Sequence, residues 1–293
     1  MSSALFAGLC VVDLVQRVTR PPGRDEKVTA LSRELVAGGP ATNAAVTFAM
    51  LGGSARLVSA VGSGPLGAVV RADLERPGLT LVDLASDDPT VKPNVSSVVV
   101  VDGTGERSVV SLDGGSLDGS AWLSAARATL ADADPDIVLL DGHYPAVAIQ
   151  VARWARARRI PVILDAGRWK PHLADLVPLV DELVCSGDFT VPDGSAFAQV
   201  AAYGHRLGAQ VVAQTHGAEA VEVSVEGRTT RIPVPSVPVV DTLGAGDVLH
   251  GAYAFHRADG CDVADAVEQA VRVASFRCRF VGSRSWLGAW PHA

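Results

Sequence analysis

Short apolar runs alternate with helical patterns along most of this chain, and that alternation narrows the fold more than any other feature. Residues 5–12, 56–61, 137–140, 162–164 and 211–213 are almost wholly apolar and rich in β-branched side chains. Such runs fit strands covered on both faces, as in a parallel sheet. Between them, residues 42–51, 67–76, 121–131, 146–158, 195–207 and 264–278 read as helices, with Gly52-Gly53 as a stop signal after the first. The predicted architecture is α/β: a doubly wound, mostly parallel sheet flanked by helices.

Two stretches break the pattern. Residues 14–36 are polar and contain Pro21-Pro22-Gly23, and residues 95–112 read as a hairpin about Asp102-Gly103. Together they predict a small β-sheet lid inserted at two points in a single domain spanning residues 1–293. A hinged lid suits an enzyme that must exclude water. The chain has no apolar run long enough for a membrane span, and the N-terminus reads as a first strand, not a signal peptide. Four cysteines without metal-ligand spacing predict free thiols in a reducing, cytoplasmic setting. A net charge of −7 argues against a nucleic-acid partner.

The segment from Val239 to Val248 carries the most chemistry. An apolar run ending at Val240 is predicted to be a strand, followed by Gly244-Ala245-Gly246 and a helical pattern over 248–258. Glycines there let backbone N–H groups converge on an anion at a helix N-terminus. Asp247 stands at the mouth of that helix. Two roles are open to it: helix cap, or general base beside a phosphate nest. A second such segment, Gly38-Gly39-Pro40-Ala41-Thr42-Asn43, also runs into a helix. Asn43 there could cap the helix or bond a ligand hydroxyl.

Side by side, the two segments resemble the paired signatures of the ribokinase-like (PfkB-type) carbohydrate kinases. The first is Gly38-Gly39 through Asn43 to Leu51-Gly52; the second is Asp-Thr-x-Gly-Ala-Gly-Asp, here Asp241 to Asp247. The resemblance runs from Leu5 to about Trp286 and implies ATP-dependent phosphorylation of a small sugar. It implies Asp247 as catalytic base and Gly244, Ala245 and Gly246 as anion hole. It implies Asp13, Gly38, Gly39 and Asn43 as sugar contacts, and Thr215, Gly217 and Ser275 as nucleotide contacts. Arg168 joins the substrate residues through Asp165-Ala166-Gly167-Arg168, similar to a fructokinase and ketodeoxygluconate kinase pattern. The resemblance extends to Mg²⁺, to a K⁺ site at Asp241 and the backbone near Gly282, and to a homodimer formed through the lid. Where many members carry Asn-x-x-Glu, this chain has Cys185-Ser186-Gly187-Asp188-Phe189, so Asp188 and Asp141 stand as the magnesium candidates. Ribokinases proper have Lys at the place of Pro40. In motif detail the chain looks closest to the sulfofructose kinase and fructokinase branch, which implies a ketose hydroxymethyl acceptor; ketodeoxygluconate, ribose and nucleosides are the alternatives.

Other signals compete. Gly62-Ser63-Gly64-Pro65-Leu66-Gly67 is a formal G-x-G-x-x-G, which on its own suggests nicotinamide binding. It falls where the family has a Gly-rich loop after a strand. The absence of G-x-x-x-x-G-K-[ST] from the sequence removes the P-loop NTPases. A non-catalytic sugar- or nucleotide-binding protein on the same fold is the remaining rival.

Overall fold

The computed structural model describes residues 1–76, 78–112 and 118–291. In chain order these form strands β1 (Ser3–Ala7), β2 (Val11–Val18) and β3 (Ser32–Gly38), then helix α1 (Pro40–Met50). Strand β4 (Ser54–Ser59), helix α2 (Pro65–Leu74) and strands β5 (Leu79–Asp83), β6 (Val95–Val101) and β7 (Arg107–Val110) follow. Helix α3 (Leu123–Ala131), β8 (Ile137–Leu140), α4 (Pro145–Arg158), β9 (Val162–Ala166), the single turn α5 (Leu173–Leu176) and β10 (Glu182–Cys185) continue the alternation. The chain closes with α6 (Phe197–Leu207), β11 (Val211–His216), β12 (Glu219–Val225), β13 (Arg228–Ile232), α7 (Ala245–Ala258) and α8 (Val263–Arg277).

Nine strands make one sheet in the order β13-β12-β11-β10-β9-β8-β1-β4-β5. The pairs from β11 to β5 are parallel, and β12 and β13 add an antiparallel edge. Both faces are covered. On β1, Ala4 and Phe6 enter the core shared with α1, α7 and α8, while Leu5 and Ala7 enter the core shared with α3, α4 and α6. Ile137 and Leu139 divide from Val138 and Leu140 in the same way on β8. Period-two alternation between two apolar layers explains why these strands are apolar throughout.

The other four strands form a separate sheet, β3-β2-β6-β7. Both pattern-breaking stretches, 14–36 and 95–112, contribute to it. Val15, Val98 and Val100 make its small apolar face, with Leu243 of the Gly-rich segment packed against it.

Three expectations are corrected. The run 5–12 is two strands in two sheets: after β1, Gly8-Leu9-Cys10 turn the chain out, and Val11 pairs with Gly38 of β3. Residues 239–240 lie outside the strands; Pro233, Pro235 and Pro238 deprive that stretch of ladder donors, and Val240 N–H bonds Cys278 O at 2.8 Å instead. Strands β5, β12 and β13, which interleave polar residues, and the four-residue β10, which opens on Glu182, complete the sheet beyond the runs legible in the sequence.

Candidate active site

In an open parallel sheet, ligands bind beyond the carboxyl ends of the strands, where strand order reverses. Here β4 and β5 extend the sheet to one side of β1, and β8 through β11 extend it to the other. Asp141 follows β8 at that reversal. One carboxylate oxygen accepts from Leu9 N–H (2.8 Å) and Ala41 N–H (3.1 Å), the other from His143 N–H (2.9 Å). It thereby joins the ends of β1 and β8 to the start of α1. That helix begins at Gly39 with no capping side chain of its own, so Asp141 satisfies one of its free donors. Burial opposes ionisation of Asp141, but the His143 ring and these backbone donors outweigh it and hold the carboxyl below its usual range. The His143 Nδ1 lies 3.1 Å from Asp141, and its Nε2 lies 3.1 Å from Lys170 Nζ. A proton on Nδ1 leaves Nε2 to accept from the lysine.

Because Asp141 caps α1, Asn43 in its first turn is free to reach across to α7. Its Nδ2 donates to Asp247 Oδ2 at 2.8 Å. Asp247 is not a helix cap. That position is Gly244, whose φ of +72° favours glycine, and Asp247 lies in the first turn, half-buried. Ala245 N–H turns back to Thr242 O at 3.2 Å. The N–H groups of Gly246 and Asp247 lie in the first turn, where an α-helix has no carbonyl to offer them. This is the donor arrangement that an anion needs.

Arg284 fixes the amide. Its Nη1 donates to Asn43 Oδ1 at 3.0 Å, Nε and Nη2 each lie 3.2 Å from Asp73 Oδ2, and Nη2 donates to Ala37 O at 2.5 Å. A continuous chain, Asp73–Arg284–Asn43–Asp247, therefore sets the orientation of the Asp247 carboxylate. One turn along α7 from Asp247, both ring nitrogens of buried His250 lie against acceptors. Nδ1 lies 2.8 Å from Gly246 O and 3.3 Å from Asp165 Oδ2, and Nε2 lies 3.3 Å from Val184 O. Burial drives Asp165 up to about 7 against the pull of His250. Burial also raises Asp247 above the usual carboxylate range, with the Asn43 bond and His250 opposing.

Asp13 on β2 is raised to about 6 by burial, with a Ser96 hydrogen bond opposing and the Asp247 charge adding. A Cβ on Gly38 would overlap the Asp13 carboxylate. One on Gly39, whose φ is +104°, would strike Leu9 O. The glycine pair is what lets the chain enter α1 so close to the β1–β2 turn. Asp13, Asn43, Leu243, Gly244 and Arg284 line one cavity. The structure thus brings the predicted Asp13, Gly38, Asn43 and Gly244–Asp247 together.

The other predicted residues are spread along the sheet edge. Thr215 lies at the end of β11 and Gly217 just beyond it, with Gly187 close against Thr215 O and open space around Gly217 and Gly246. Arg168, after β9, lines a second cleft with Glu106, Arg107 and Thr242, beside the smaller sheet. Ser275 is buried on α8 and lines neither cavity. Asp188 is exposed beyond β10, and Asp141 is committed to backbone donors. Among the described residues, no group of three or more His, Cys, Asp or Glu side chains is placed to hold a metal ion.

Asp241 is buried. Oδ1 accepts from Leu243 N–H (2.8 Å) and Oδ2 from Gly282 N–H (3.2 Å). Sequence reasoning missed Arg284, Asp73, Arg277 and the Asp165–His250 pair. Arg284, Asp73 and Arg277 come from remote segments without a motif; Asp165 opens the Asp165-Ala166-Gly167-Arg168 pattern and His250 follows Asp247 by three residues, but nothing local in sequence pairs them. Arg284 and Arg277 did flank the Gly282 backbone that the sequence singled out.

The chain has relatives among known proteins. The pfkB family carbohydrate kinase pattern matches residues 1–287. A ribokinase of Bacillus subtilis is 27% identical over 289 residues, covering 96% of this chain and 94% of that one. An ATP-dependent ribose-1-phosphate kinase of Halopiger xanaduensis is 29% identical over 294 residues, covering 97% and 95%. Among solved structures, a protein from Agrobacterium tumefaciens provisionally described as a ribokinase superposes with a TM-score of 0.84 at 26% identity, covering 98% of this chain and 94% of that one. Ribokinase of Arabidopsis thaliana, complexed with ribose and ATP, superposes at 0.76 with 23% identity, covering 98% and 97%. These relatives do not separate a sulfofructose or fructose branch from the rest. With 287 residues matched from its first onward, the chain belongs to the pfkB family of carbohydrate kinases.

Proposed function

We propose that this ATP-dependent carbohydrate kinase phosphorylates a hydroxymethyl group of a ribose-type sugar, with Asp247 as general base. The observation that carries the reading is the 2.8 Å bond from Asn43 to Asp247 at the start of α7, in a cavity shared with Asp13. The sugar lies between Asp13, Gly38, Gly39 and Asn43. ATP lies along the sheet edge past Thr215 and Gly217, with its terminal phosphate toward the N–H groups of Gly246 and Asp247. The hydroxyl proton passes to the Asp247 carboxylate as the oxygen bonds to the γ-phosphorus, and the bond from that phosphorus to the β–γ bridging oxygen breaks, releasing ADP. The raised proton affinity of Asp247 suits that acceptance. Magnesium bound with the nucleotide would offset the phosphate charge. Among the described residues, no cluster of carboxylates could hold it without the nucleotide.

The smaller sheet acts as the lid. Its valines rest on Leu243, one residue before the anion nest. Leu31, Leu35, Val109, Val110 and Leu112, all on or beside it, are exposed. That surface supports a homodimer joined through the lid. A second substrate reading, a ketose, rests on Pro40, which begins α1 where ribokinases proper have Lys. Coupled ADP release from MgATP across ribose, fructose, sulfofructose and ketodeoxygluconate decides between them. A kcat/KM for ribose above the ketoses supports the pentose; preference for a ketose overturns it.

A further inference from the structure

The oxygens that would hold a monovalent cation beside the anion nest already hold a positive charge. Arg277, the last residue of α8, is 1% exposed and is among the largest fully buried side chains described. Its Nη1 donates to Asp241 O at 3.0 Å and to Phe280 O at 3.1 Å, and its Nη2 lies 3.5 Å from Asp241 Oδ2. Two main-chain carbonyls and one carboxylate converging on one charge is the donor set of a hard monovalent cation, as in carbonyl-lined ion sites. Here an arginine side chain fills it. A potassium ion at the same oxygens would face a buried like charge, which low dielectric makes strongly unfavourable. The residues present therefore do not fit the K⁺ that the resemblance implies.

The same contacts show what the guanidinium does. It holds the carbonyl and carboxylate of Asp241, the first residue of the segment that turns at Gly244 into α7. Asp241 Oδ1 bonds Leu243 N–H, one residue before Gly244, and Oδ2 bonds Gly282 N–H, two residues before Arg284. Return bonds from Val240 N–H and Asp241 N–H to Cys278 O close the connection (2.8 and 3.2 Å). Arg277 also lines the cavity of Asp13, Asn43 and Gly244.

We infer that Arg277 is a built-in cation: a positioning residue that sets the anion nest through Asp241 and makes this kinase independent of K⁺. A planar guanidinium cannot lose its proton and is covalently tethered, so the site is charged at every K⁺ concentration. The inference draws on the kinase assignment only for its rate measurement, and its thermal measurement needs no sugar.

The test has two arms. Thermal melting and MgATP-dependent turnover of the wild-type protein are measured from 0 to 200 mM KCl, at ionic strength held constant with choline chloride. Neither should change. Saturable activation or a saturable rise in melting temperature specific to K⁺ would overturn the proposal, whichever sugar the enzyme uses. In Arg277→Met, turnover should fall by about 10²-fold, the scale on which a misplaced catalytic arrangement loses rate. Guanidinium chloride at low millimolar concentration, or K⁺, should restore part of the rate and raise the melting temperature of this variant only. A variant that melts normally and turns over at the wild-type rate would refute the positioning role. If Arg277→Met does not fold, the more conservative Arg277→Lys takes its place, retaining charge and K⁺ independence if the account is right. K⁺ activation of that folded lysine variant would count against it.

Discussion

Removing Arg284 should uncouple the chain that aims Asp247. In Arg284→Met, Asp73 loses the nearer of its two guanidinium partners and keeps Arg76 at 4.0 Å, and the Asn43 and Ala37 oxygens lose their donor. Breaking a fully buried ion pair costs about 3–5 kcal/mol. This pair keeps 18% and 15% exposure, so water can reach it, and about 2–4 kcal/mol is expected. A chain of 293 residues has an unfolding entropy of about 0.6 kcal/mol/K, so the melting temperature should fall by about 3–6 °C. The freed Asn43 amide can rotate away from Asp247. Loss of one hydrogen bond to a charged group, about 1.5–3 kcal/mol, should lower kcat/KM by roughly 10- to 10²-fold. That bond also draws the Asp247 pKa downward. Its loss should move the acid limb of the pH–rate profile to higher pH, because the base must be ionised to accept a proton. Calorimetry and steady-state kinetics on Arg284→Met, Asn43→Ala and the double variant complete a cycle. Wild-type kcat/KM in Arg284→Met, or single effects that add within about 0.5 kcal/mol, would refute the relay through Asn43.

Two further changes follow from the neighbouring groups. Asp13 is raised from 3.8 to about 6, so between those values the folded chain keeps a proton that the unfolded chain has lost, and stability falls as pH rises through that window. Asp13→Asn should be more stable than wild type at pH 7.5 by roughly 1–2 kcal/mol after screening of a half-buried group, and should converge on wild type near pH 4; a pH-independent difference in unfolding free energy contradicts this. Gly38→Ala places a methyl group where the Asp13 carboxylate lies. It should lower kcat/KM for the sugar by about 10- to 10²-fold and leave the KM for ATP nearly unchanged; equal effects on both substrates would remove Gly38 from the sugar side.

The sequence carried the layered architecture because a doubly covered strand is apolar along its buried length, as β8 is throughout and as β1 and β9 are apart from Ser3 and Asp165 near their ends. It hid β12 and β13, at the antiparallel edge, because polar residues such as Glu222 and Arg231 interrupt them. It also hid the break at Gly8, where an unbroken apolar run serves two sheets. The site divides in the same way. Asp247, Asn43 and the glycines were legible because a helix opening on an anion leaves a local pattern. Arg284, Asp73, Arg277 and the Asp165–His250 pair were not, because their roles exist only when segments far apart in sequence meet. For Asp141 the residue was visible and its role was not: its partners are backbone N–H groups, which no side-chain pattern records.

The central claim is that the Asp247 carboxylate takes the acceptor's proton, and Asp247→Asn tests it most directly. Asparagine preserves the shape and the N–H groups of Gly246 and Asp247 while removing the base. With saturating sugar and MgATP, kcat should fall by about 10²–10⁴-fold, the usual contribution of a positioned general base. ATP should still raise the melting temperature as it does in wild type, which shows an intact nucleotide site. Turnover near the wild-type rate, with that stabilisation retained, would contradict the account.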